Sequence, residues 1–226
     1  MNLADIFEEA QQRFPTASLN ESRMLRYAND AHLELCNACR VYVQENTLTM
    51  TTATTYQVNS ALTPPAVAAR IWEARYCPNA DPNQQQPMMP VSIRELDQYR
   101  KGWRANVVTG GAANTASEYY VDRDATGNLL LCLLTIPNAG DTILFTASLY
   151  VPLTSQSTFP VCVGTGRYYL YYIWERYSEI KEPALMEAFQ NKRLDELAKI
   201  QKRLSTMDAE IGPRIVPGIG AYGGRA

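Results

Sequence analysis

Residues 133–153 read LLTIPNAGDTILFTASLYVPL, and the fold class turns on them. From Thr142 to Val151, Ile143, Phe145, Ala147, Leu149 and Val151 share one face, while Thr142, Thr146, Ser148 and Tyr150 are among those opposite. A period of two with apolar and polar sides marks a strand of an antiparallel sheet, one face on a core and the other in water. Pro137-Asn-Ala-Gly140 before it reads as a turn. Further upstream, Glu118–Arg123 and Asn128–Ile136 flank Asp124-Ala-Thr-Gly127, a hairpin whose glycine supplies the turn.

Toward the N-terminus the strand pattern continues. Ala69–Tyr76 alternates, with Ile71, Glu73 and Arg75 facing one way and Trp72, Ala74 and Tyr76 the other. Thr47–Val58 holds six threonines among twelve residues, a composition that favours strands. Between Cys77 and Pro90, PNADPNQQQPMMP reads as an unstructured loop. Ser92 and Glu95 then form a capping box opening a short helix to Lys101, with Gly102 placed to stop it. The small polar stretch 105–117 reads as a mobile loop.

Helices flank this block on both sides. Leu3, Ile6, Phe7, Ala10 and Phe14 recur at helical spacing until Pro15. Ser18 and Glu21 form a capping-box signature for a second helix to about Arg40, with Met24, Ala28, Ala31 and Leu35 on its core face. Beyond Pro160, Gly166 to about Lys181 carries apolar and aromatic residues all round, so neighbours must cover it on most sides. Pro183 suits a helix's first turn. The helix it opens runs to about Met207, with Met186, Phe189, Leu197, Ile200 and Leu204 as its apolar stripe. The expected fold is therefore α+β. Residues 1–41 and 162–206 form an antiparallel helical bundle, 42–161 an inserted antiparallel β-rich block, and 207–226 an extended C-terminal arm.

The arm reads MDAEIGPRIVPGIGAYGGRA. Five glycines and two prolines oppose a helix. Ile211, Ile215, Val216, Ile219 and Tyr222 are nonetheless too apolar for an idle solvated linker. Twenty extended residues span roughly 60 Å, enough to grip a neighbour. Arg214 and Arg225 are suited to pair with a partner's carboxylates. Tyrosine is also in surplus, with 14 copies against 5 phenylalanines, and tyrosine favours interfaces. The cluster Tyr168, Tyr171, Tyr172, Trp174 and Tyr177 is read as a subunit interface, with a role in the core as the competing reading.

The net charge of −2 and a pI near 5.6 give no basic field for holding nucleic acid by its phosphates. Basic clusters at Arg100, Lys101 and Arg104, and at Lys192, Arg193, Lys199, Lys202 and Arg203, are interleaved with acids and read as solvated helix faces. MNLADIFEEA lacks the features of a signal peptide, and the longest apolar run, Leu129–Leu134, is too short to cross a bilayer. Five cysteines fit a reducing compartment. His32, Cys36 and Cys39 fall near one helix face, as a zinc site would begin. However, Met24, Ala28 and Leu35 share that arc, and no second Cys-x-x-Cys follows, so they read as core. His32 is the chain's single histidine, and no nucleophile motif accompanies it. The carboxylate pairs Glu8/Glu9 and Glu118/Asp122 read as exposed acids rather than glycosidase machinery. No catalytic residue, metal or cofactor is expected.

The order of elements resembles the head-to-tail adaptor proteins of tailed bacteriophages, also called head-completion or connector proteins. The resemblance covers nearly the whole chain. It rests on the opening helix pair around Leu25-Arg-Tyr-Ala-Asn-Asp-Ala, the TLTMTTATTYQV region, the Ser92–Asp97 helix, the 133–153 stretch, and the aromatic helix followed by a long charged one. It implies a homo-oligomeric ring, usually a dodecamer, between the portal protein and a tail or nozzle protein in the virion neck. Double-stranded DNA would pass through it without specific binding. It also implies a C-terminal arm that inserts into or along the portal; synthesis in the host cytoplasm and no membrane contact are expected from the N-terminus and the short apolar runs. Another virion structural role, as tail tube or head decoration, and a hydrolase remain the alternatives.

Overall fold

The structure is a computed structural model and describes residues 3–14, 19–62, 66–100, 103, 117–154 and 164–211, the last five as backbone only. It is an α+β fold that divides into two compact units. One joins the chain up to Tyr42 with the chain from Tyr150 through the last helix; the other is Val43–Leu149.

The helical unit contains α1 (Leu3–Arg13), α2 (Glu21–Ala38), α4 (Gly166–Lys181) and α5 (Pro183–Ile211). The helix α4 is central, and α1, α2 and α5 all pack on it. Leu3, Ile6, Phe7, Ala10 and Phe14 are buried from α1 and its end, and Met24, Ala28, Ala31 and Leu35 from α2, as their spacing requires. The cap of α2 differs from the sequence expectation. Asn20, not Ser18, accepts a hydrogen bond from the Arg23 amide at 2.9 Å. Asparagine caps as well as serine does, and this leaves Glu21 in the first turn, where the helix dipole favours an acid. Ser18 lies outside the described residues.

Two four-stranded sheets build the other unit. The first has the order β1 (Val43–Thr49), β8 (Thr142–Tyr150), β3 (Val67–Cys77), β4 (Gln86–Pro87). The second has the order β2 (Thr55–Gln57), β7 (Leu129–Leu133), β6 (Glu118–Arg123), β5 (Met89–Pro90). One core takes side chains from both, including Leu48, Ile71, Tyr76, Tyr119, Leu131 and Phe145. The register of β1 on β8 runs from Val43↔Ser148 to Thr49↔Thr142. The hairpin β6–β7 forms as its turn residues dictate. Gly127 takes φ +87°, and the Asp124 carboxylate accepts from the Thr126 and Asn128 amides at 2.9 Å each. The helix α3 (Ile93–Tyr99) carries both bonds of the Ser92/Glu95 capping box.

Three expectations are corrected here. The stretch 78–90 is not all loop: β4 pairs antiparallel with β3, and β5 pairs parallel with β6. Two-residue strands at Pro87 and Pro90 have no period to read, and proline tolerates only such edge positions. The polar side of β8 is not solvated either. Ser148 accepts from the Trp72 indole N–H at 2.7 Å, and the Thr146 hydroxyl donates to Glu73 at 3.1 Å, so both residues are buried. Strict alternation in β3 also fails, because Ile71, Ala74 and Tyr76 all reach the same core while Trp72 and Glu73 both bond to β8. The predicted loop 105–117 lies outside the described residues apart from Ser117.

Candidate functional site

The aromatic helix α4 buries most of its rings. Tyr168, Tyr169, Tyr172 and Tyr177 are inside the helical unit, whereas Tyr171 and Trp174 stay half-exposed. A ring filled in by its own subunit cannot line an interface, so of the five residues assigned to one, only Tyr171 and Trp174 remain able to meet a neighbour. Around them, Phe14 packs 4.7 Å from Tyr177 between ring centres, and Phe189 of α5 lies 5.4 Å from Trp174.

Arg193 is the exception to the reading of α5's charges as a solvated face, since Lys192, Lys199, Lys202 and Arg203 are all exposed but Arg193 is buried. Position 193 follows Phe189 by four residues and precedes Ile200 by seven, which puts it on the core stripe. Its guanidinium bonds Glu175 of α4 at 2.5 Å and also Glu34 of α2, and its carbon lies 5.4 Å from the Tyr172 ring centre. Three helices are thus tied at one cation. Burial works against its charge, but the bond and the fields of Glu175 and Glu34 more than offset it and raise its pKa.

His32, Cys36 and Cys39 are all buried, and no three-ligand metal cluster forms among the described residues. Burial lowers the His32 pKa to about 4 and raises that of Cys39 to about 11. His32 is a packing centre. Its Nδ1 shares a 2.7 Å hydrogen bond with the Tyr169 hydroxyl, and the rings of Tyr42 and Tyr150 lie 5.0 and 5.5 Å away. Tyr42, at φ +51°, ends the helical unit's first segment, and Tyr150 begins its second. Asn29 ties down the returning chain. Its Oδ1 accepts from the Leu153 amide at 2.7 Å and the Tyr150 hydroxyl at 3.1 Å, and its Nδ2 donates to the Leu153 carbonyl at 3.0 Å. Sequence reasoning passed over Asn29. Its one signal was an asparagine in mid-helix, where that residue is poorly suited unless its side chain has work to do.

In the β unit, a cavity of about 300 Å³ is lined by Ile93, Trp103, Tyr120, Asp122 and Leu133 among others. It holds one carboxylate among its described lining residues. Glu118, read beside Asp122 as a possible pair, forms two hydrogen bonds of 2.6 and 2.7 Å with Arg100, which lower its pKa.

Of the arm residues, Ile211 belongs to α5, so the arm cannot begin at Met207. Nothing in Met-Asp-Ala-Glu-Ile breaks a helix; the first breakers are Gly212 and Pro213. Arg214, Ile215, Val216, Ile219, Tyr222 and Arg225 lie outside the described residues.

The family model of the SU10 adaptor protein matches residues 1–217. The chain belongs to the SU10 adaptor protein family. Membership makes it a phage structural adaptor protein, in agreement with the resemblance drawn from its order of elements. No curated protein matches the adaptor chain. None of its helices is long and apolar enough to cross a membrane among the described residues.

Proposed function

We propose that this adaptor assembles as a closed ring, a dodecamer, in the virion neck. There it joins the portal to the tail and extends the channel through which double-stranded DNA passes without specific binding. The observation that carries this reading is family membership across 1–217. The helix α5 supports the mode of attachment. Its 29 residues extend about 43 Å, and from Gln201 to Thr206 only Leu204 is half-buried. In this reading the exposed end of α5 offers the glycine- and proline-jointed segment after Ile211 to a partner. That segment grips the portal through Ile215, Val216, Ile219 and Tyr222, with Arg214 and Arg225 pairing with portal carboxylates. An apolar strip that orders on contact makes assembly sequential, because the ordering entropy is offset only where a completed portal presents its surface.

The test is cosedimentation of the full chain, and of a chain ending at Ile211, with rings of the cognate portal. Ending there keeps α5 whole. The full chain is expected to cosediment and the shortened chain to stay behind with an unchanged helical spectrum. Equal binding by both chains would refute the arm.

A further inference from the structure

The exposed edge of α4 carries Arg167, Tyr171 and Trp174, spaced by four and three residues so that they share one face. Arg13 of α1 and Lys192 of α5 border it. The Arg13 guanidinium carbon lies 4.8 Å from the Phe189 ring centre and 5.5 Å from that of Trp174. The Lys192 ammonium lies 5.8 Å from Tyr171 and 6.0 Å from Phe189. Glu9 stands one helical turn before Arg13, a spacing that normally pairs. Arg13 instead lies on the rings and forms no ion pair among the described residues; Lys192 and Arg167 likewise have no carboxylate partner there. Three cations that form no ion pair among the described residues thus border two half-exposed aromatic rings. Tryptophan, tyrosine and arginine are the residue types that anchor protein interfaces.

The opposite chemistry sits on the same unit. Glu8 is exposed and Glu9 half-exposed on α1, and neither has a cation partner among the described residues. At 100° per residue Glu8 stands about 140° round α1 from Arg13, so the acidic edge and the basic seam can face different neighbours, as a head-to-tail contact that closes into a ring requires. We propose that the seam of Arg13, Trp174, Tyr171 and Lys192 on one copy receives the Glu8/Glu9 edge of α1 from the next. The proposal rests on the ring reading above and adds which surfaces meet. Charge favours a protein occupant over nucleic acid. Glu196 pairs with Lys199 at 2.7 Å and Asp195 adds to the negative field there, so a phosphate rail following the seam along α5 would meet carboxylates.

The experiment mixes isotopically light and heavy full-length chains on cognate portal rings and treats them with a carbodiimide. Cross-links from Lys192 to Glu8 or Glu9 between light and heavy chains are expected. The charge reversals Arg13→Glu/Lys192→Glu and Glu8→Lys/Glu9→Lys are each expected to raise the half-assembly concentration about tenfold or more. Both sets combined in one chain restore it to within about threefold of the unaltered protein. The neutral sets Arg13→Gln/Lys192→Gln and Glu8→Gln/Glu9→Gln check the result should a reversal disturb the helical spectrum.

Ring assembly unaffected by either reversal, or folded combined variants that fail to recover, would overturn the seam while leaving the ring. Duplex DNA retained by the unaltered chain and released by Arg13→Glu/Lys192→Glu would overturn it in favour of nucleic acid. An unaltered chain that forms no ring on the portal would remove the ring reading, and the seam with it.

Discussion

Replacing Arg193 with methionine keeps the length and bulk of the stem but removes the charge shared by Glu175 and Glu34. The two carboxylates stand in different places. The Glu175 side chain is 9% exposed and that of Glu34 is 36% exposed. Water can replace Arg193 at Glu34, so Glu34→Gln should cost less than about 1 kcal/mol. Glu175 has no such recourse. Arg193→Met strands it in the bundle core, at a cost of about 3–5 kcal/mol. For a chain of this size, that corresponds to a midpoint roughly 6–20 °C lower. Much of this is the penalty of an unpaired charge rather than the value of the pair. Arg193→Met/Glu175→Gln should therefore recover most of the loss, although the residues are in contact and their effects are not additive. Thermal melts followed at 222 nm report mainly on the helical unit and check the series. If Arg193→Met melts within a degree or two of the unaltered protein, or the double variant is no better than the single, the triad does not hold the three helices.

Three further outcomes follow from the same coordinates. Burial lowers the His32 pKa from 6.5 to about 4, so the unfolded chain binds its proton first, and stability is full above pH 6.5 and lost as pH falls toward 4. Up to about 3 kcal/mol is at stake, and urea midpoints at pH 7.5 and 5 should converge in His32→Gln. The hydrogen bonds on Asp124, led by that of Thr126, lower its pKa to about 2, so its contribution persists above about pH 4 and disappears only as pH falls through 2; Asp124→Asn should flatten the stability profile in that acid window. Asn29→Ala should cost about 1–3 kcal/mol by leaving the Leu153 amide unpaired, and hydrogen exchange at that amide should accelerate while the amides of α4 stay protected.

The helices and the hairpin were legible because each is written locally. The spacing of Leu3 through Phe14, the Ser92/Glu95 box and Gly127 after Asp124 each specify their geometry within a few residues. What the chain does to β8 is not local. Thr146 and Ser148 look solvated until Trp72 and Glu73 of a distant strand bond to them. The two-residue strands β4 and β5 are too short to carry a period, and their pairing is set by β3 and β6. Arg193 was hidden by its charge, although its spacing from Phe189 and Ile200 placed it on the core stripe. The aromatic surplus in α4 was visible, but composition could not separate rings covered by the subunit itself, such as Tyr168 and Tyr172, from Tyr171 and Trp174, which are only half covered. The glycines after Ile211 marked the end of α5 more accurately than the charge-rich run before them.

A cryo-EM map of the neck from intact particles tests the central claim most directly. The account predicts a closed ring of this chain between portal and tail, with residues 212–226 of each copy lying against a portal subunit. A map in which the chain is absent from that junction, or in which its terminal residues touch no portal subunit, would contradict it.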